Sequence, residues 1–142
     1  MKNSNQIELL AVNAVEDFFA KIERINPMIP LADKEPSWDG FLYLYSDDSM
    51  KKETMIGRIP VQLKGKTGEF VESLSYPINT SVLRNYMREG GCIYFVVLMN
   101  ERQERKIFYR MLIPVELQNI LKGKEQQKSI NVKMKPLEDS DD

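Results

Sequence analysis

The run Cys92-Ile-Tyr-Phe-Val-Val-Leu-Met99 constrains the fold more than any other stretch of the chain. A β-strand sends alternate side chains to opposite faces, so a strand that is apolar at every position must be covered on both. The run therefore predicts a central strand with a layer packed on either side. The chain has 142 residues, 42% of them hydrophobic and 29% charged, which suits a single domain, 1–142, that buries a real core.

The remaining elements follow from periodicity. Ile7, Leu10, Ala11, Ala14, Val15, Phe18 and Ile22 recur at helical spacing and predict an amphipathic helix over Asn5–Ile25, stopped by Asn26-Pro27. The proline-rich stretch after it allows at most a short irregular strand around Met28–Ala32. Gly40–Ser46 and Arg58–Lys66 read as an antiparallel hairpin with a long polar loop, and Glu69–Ile78 as a further extended segment. Asn79 or Thr80 can cap a short helix over Ser81–Arg88 that Gly90-Gly91 ends. After Cys92–Met99 come a strand over Lys106–Ile113, a helix opened by Pro114 and closed by Gly123, and a strand over Ile130–Lys135. The expected class is α/β or α+β, a central mixed β-sheet flanked by helices. The closing Glu138–Asp142 stretch predicts an acidic, solvated tail and suits a boundary with a further domain of a longer protein.

Composition removes several chemistries. The chain has no histidine, which excludes Ser-His and Cys-His nucleophiles and every His-ligated metal site. Its single cysteine, Cys92, cannot form an internal disulfide and reads as a buried, inert thiol. No apolar run approaches the roughly 20 residues of a membrane span, and the N-terminus lacks the order of a signal peptide, so a cytoplasmic location is expected. The net charge of −1 gives no global attraction to nucleic acid, although lysines gather around the central strands.

Within Arg58–Lys66, strand alternation puts Ile59, Val61 and Leu63 on one face and Gln62, Lys64 and Lys66 on the other. Asp39, at the start of the preceding strand, can lie beside Gln62 and Lys64. An aspartate, an amide oxygen and a lysine in that arrangement can hold a divalent cation and a water next to a phosphate. Each residue also has a structural reading. Asp39 before Gly40 can shape a turn, Gln62 and Lys64 can form the solvated face of a strand, and Pro60 hints at an edge or a bulge. The aromatics Tyr43, Tyr45, Tyr94 and Phe95 read as core; Tyr76 and Tyr86 can face a ligand, but nothing singles them out.

Taken in order, a leading helix with a glutamate, Asp39-Gly40, Pro60-Val-Gln-Leu-Lys64, a helix near Val82–Met87 and the buried Cys92–Leu98 strand resemble the restriction-endonuclease-like PD-(D/E)xK superfamily. More narrowly, they resemble a bacterial domain family of unknown function with a Q-x-K variant. The resemblance covers roughly Ile7 to Leu121. It implies a Mg²⁺- or Mn²⁺-dependent nuclease hydrolysing phosphodiester bonds in DNA rather than RNA, in a defence-type system, as a homodimer or with fused partner domains. Asp39 matches the metal-binding aspartate and Lys64 the lysine at the attacking water. Gln62 stands where most members carry an acid, Leu63 supplies the backbone carbonyl ligand, and Glu8 is the helix ligand, with Glu16 its rival. The alternative is a non-catalytic nucleic-acid-binding or protein-interaction module that keeps the fold around a degenerate site.

Overall fold

A computed structural model describes residues 3–31 and 38–138. The acidic stretch 139–142 and most of the proline-rich stretch, 32–37, lie outside the described residues. Three helices, α1 (Ser4–Ala20), α2 (Thr80–Arg88) and α3 (Pro114–Leu121), accompany seven strands: β1 (Ile25–Met28), β2 (Gly40–Tyr45), β3 (Met55–Thr67), β4 (Leu74–Asn79), β5 (Cys92–Met99), β6 (Arg105–Leu112) and β7 (Ser129–Pro136). The strands form one mixed sheet in the order β1-β2-β3-β5-β6-β7-β4, an α+β fold. Among the described residues only β3 and β5 run parallel, with Gln62 opposite Tyr94 and Lys64 opposite Val96. The chain between them carries β4 and α2, and that crossover covers one face of the sheet.

β5 occupies the position its sequence demands. Ile93, Phe95 and Val97 pack with Val61, Leu63 and the buried stripe Ala11, Val12, Val15 and Phe19 of α1. Cys92, Tyr94, Val96 and Leu98 enter a second core with Leu83 of α2, Leu117 of α3 and Ile130, Val132 and Met134 of β7. Helices and β4 cover the two faces, so no position of β5 tolerates a polar side chain at low cost.

α1 opens on a reciprocal cap: Asn3 Oδ1 accepts from Gln6 N–H at 2.9 Å and Gln6 Oε1 accepts from Asn3 N–H at 3.0 Å. The helix ends at Ala20, short of the expected Ile25, and Asn26-Pro27 lie inside β1. Sheet pairing wins over helical periodicity here. Arg24 takes a left-handed φ of 69°, its carbonyl accepts the Tyr45 N–H at 2.9 Å, and Ile25–Met28 then pairs with Phe41–Leu44. Ile22, expected on the buried stripe, is 39% exposed as a result. Pro27 is tolerated because β1 is an edge strand. Pro60 obeys the same rule locally, since the β3–β5 ladder begins at Val61 and leaves β3 with one neighbour at the proline.

Gly40, the first residue of β2, packs closely against the end of β1. A Cβ there would lie 2.4 Å from the Met28 carbonyl oxygen and 2.8 Å from Ile29 Cα, both backbone atoms. Gly40→Ala should therefore destabilise the fold by about 1–3 kcal/mol, read as a lower urea midpoint with an unchanged slope. Ala at Gly57, where a Cβ would meet nothing within 4 Å, serves as the control.

Candidate functional site

Asp39 stands immediately before β2, where the β2–β3 pairing runs out. Its N–H donates to the Val61 carbonyl at 3.0 Å, and its Oδ2 accepts from the Leu63 N–H at 2.8 Å. The carboxylate thus takes over the edge of β3 beyond the last paired residue of β2. In a strand the N–H and C=O of one residue point to the same side, so the Leu63 carbonyl also faces the Asp39 side. Gln62 and Lys64 project from the opposite face to α1. Gln62 is 9% exposed and Lys64 is exposed.

Asp39, Gln62 and Lys64 all line one cleft of about 630 Å³, roofed by α2 and walled by β4. Its apolar side is a chain of aromatic rings. Trp38 stacks on Tyr86 at 5.5 Å, Tyr86 lies 6.3 Å from Tyr94, and Tyr94 lies 6.2 Å from Tyr76. Asn79, Asn85 and Arg88 complete the polar rim, where Arg88 Nη2 donates to Asn85 Oδ1.

The sequence brings three of its expected residues together here and leaves the helix glutamates elsewhere. α1 packs on the Val61–Leu63 face, with Ile7 and Ala11 over Gly65, and Glu8 is not among the residues lining the cleft. Glu16 lines a separate depression with Asp17, Lys21 and Arg105. Several cleft residues carried no expectation of function. Val82 and Asn85 of α2 and Glu89 at its C-cap fall on one side with Tyr86 at three- and four-residue spacing, a signal present in the sequence but mute about what that side faces. Asn79 occupies the N-cap position without a capping hydrogen bond from its side chain. Thr80, the other expected cap, instead donates to the Gln127 and Lys128 carbonyls at 2.8 and 3.1 Å.

The donor set suits a hard, oxygen-liganded cation held weakly. It offers the Asp39 carboxylate and the neutral Gln62 amide oxygen, with the Leu63 carbonyl turned to the Asp39 side although Leu63 does not itself line the cleft, and an oxygen that accepts one N–H keeps a further lone pair. Among the described residues no three His, Cys, Asp or Glu side chains gather at a metal-binding spacing. Water and substrate phosphate oxygens would have to complete the shell, a common arrangement for Mg²⁺. The nitrogen and sulfur ligands that zinc prefers are not offered.

Burial governs the titratable groups behind the cleft. It pushes the Cys92 thiol up to about 12, with the Asp39 charge adding to the effect, and it raises the Tyr86 and Tyr94 phenols above their ordinary range. The thiol is buried, as its apolar run suggests, and has almost no thiolate near neutral pH, so alkylation should follow unfolding rather than precede it. These groups fold in their neutral forms. Their stabilisation is full below the unfolded values, about 8.5 for Cys and 10 for Tyr, and is lost as pH rises toward the folded ones. The melting temperature should hold from pH 7 to about pH 8.5 and fall progressively above it, measured by circular dichroism.

Comparison of the chain with protein-family models, curated proteins and solved structures finds no match.

Proposed function

We propose that this chain is a metal-dependent nuclease domain of restriction-endonuclease-like type that hydrolyses phosphodiester bonds in DNA, with its chemistry at the Asp39–Gln62–Lys64 cleft. One observation carries the reading: a carboxylate, an amide oxygen and a lysine, drawn from the start of β2 and from β3, line the same cleft. Asp39, Gln62 and the Leu63 carbonyl would hold Mg²⁺ or Mn²⁺. When bound, such an ion acidifies water and neutralises charge on a phosphate oxygen. Lys64, exposed at the cleft, directs its ammonium to a non-bridging phosphate oxygen and offsets the charge that grows there during attack. Asp39 is fixed by the Leu63 N–H and orients the attacking water from a rigid strand end. Glu8 does not line the cleft, and this reading gives it no role.

A second reading, a nucleic-acid-binding module without catalysis, is favoured by the absence of an acidic trio among the described residues. It is also favoured by the edge-capping role that Asp39 already fills. The two separate on Lys64→Ala. Lys64 is exposed, so this variant should keep the parent's stability within about 0.5 kcal/mol. If the cleft is catalytic, it should lose Mg²⁺-dependent nicking of supercoiled plasmid by about 10²-fold or more. Binding of plasmid or single-stranded DNA with cleavage of neither by the parent chain would favour the second reading.

A further inference from the structure

The contents of the cleft say more than that it suits a phosphate. Its volume, about 630 Å³, is that of a site for a small molecule or a single nucleotide unit. A base held in a duplex keeps its stacking faces and its pairing edge inside the helix, so an unpaired base presents both to such a cleft more readily. Aromatic rings, side-chain amides and two cations line the space, together with the carboxylates of Asp39 and Glu89. Aromatic faces stack on any base, amides match the donor and acceptor edges that pairing would hide, and cations take the flanking phosphates.

Each group is positioned for such a role. Tyr76 is the half-buried end of the aromatic chain, 6.2 Å from Tyr94, and lines the cleft. Asn79 keeps its side chain out of helix capping and lines the cleft as well. Arg88 is steadied by Asn85 at the rim, with Lys64 also lining the cleft. The chain's net charge of −1 supplies no broad cationic field for a duplex, so affinity must come from local contacts of this kind.

We infer that the cleft binds an unpaired nucleotide of a single strand, its base against Tyr76 and its phosphates toward Arg88 and Lys64, in preference to intact duplex. This rests on the reading of the cleft as a phosphodiester site and adds the strandedness of the substrate.

The test measures binding without hydrolysis, by fluorescence anisotropy in EDTA, of the full chain with a short labelled single-stranded DNA and with its blunt duplex. The single strand should bind at least about tenfold more tightly than the duplex. Tyr76→Ala and Arg88→Ala should each weaken it by about tenfold, while Tyr76→Phe, which keeps the ring, should match the parent. Arg88 is exposed, so its variant reports on binding even if Tyr76→Ala folds poorly. Duplex binding as tight as single-strand binding, or single-strand binding indifferent to Arg88→Ala, would overturn the inference. Single-strand binding with no metal-dependent cleavage would contradict the hydrolytic reading alone. Metal-dependent cleavage confined to duplex would contradict this inference alone.

Discussion

Asp39→Asn should leave the fold intact and abolish metal-dependent cleavage, whereas Asp39→Ala should damage both. The difference lies in the bond between Asp39 Oδ2 and the Leu63 N–H, 2.8 Å long, at a strand edge that β2 no longer pairs. An asparagine side-chain oxygen can accept the same N–H, so the edge stays satisfied while the charge disappears. Alanine leaves the Leu63 N–H without its acceptor. Leu63 is 6% exposed, and a buried donor stripped of its partner costs about 1–3 kcal/mol. Loss of the carboxylate from either variant removes the only charged oxygen donor of the proposed set and should lower cleavage by about 10²-fold or more. Thermal melts run beside plasmid nicking separate the roles. If Asp39 only caps the edge, Asp39→Asn will match the parent in both.

Phe95→Ala should have the largest effect on stability. Phe95 is fully buried at the centre of β5, packs edge-on to Phe19 of α1 at 5.7 Å, and sits among Val61, Leu63 and Val97. Its neighbours belong to a sheet and a helix held by many other contacts, so the space left behind cannot collapse. The expected loss is about 3–5 kcal/mol, a large share of the roughly 5–15 kcal/mol that holds a domain folded. Because β3 leans on this core through Val61 and Leu63, the loss should also loosen the strand that carries Gln62 and Lys64. Guanidinium denaturation measures the first effect. Hydrogen exchange of the Gln62 and Lys64 amides measures the second.

Much of this architecture is legible in the chain because local pattern and tertiary demand agree. The continuous apolar run of β5, the alternation of β7 and the Pro114 start of α3 each place an element within a residue of its observed bounds. Where the two conflict, tertiary pairing prevails. The apolar stripe of α1 continues to Ile22, yet the chain leaves the helix at Ala20 because β1 must turn back to pair with β2. The candidate site divides along the same line. Alternation along β3 is enough to put Gln62 and Lys64 on one face, and Asp39 follows from the hairpin. Periodicity in α1 shows that Ile7, Ala11 and Val15 share a side, but not which face of the sheet that side meets, and this is what separates Glu8 from the cleft. The aromatic chain is less legible still, since Trp38, Tyr76, Tyr86 and Tyr94 come from four different segments that only the crossover gathers.

The most direct measurement is cleavage of single-stranded DNA and nicking of supercoiled plasmid by the purified chain in Mg²⁺ and in Mn²⁺, with EDTA and Asp39→Asn as the comparisons. The account predicts cleavage that needs the metal and is lost in a variant whose melting temperature is unchanged. Nicking that persists in EDTA or in Asp39→Asn, or a parent chain that cuts no DNA with either metal, would contradict it.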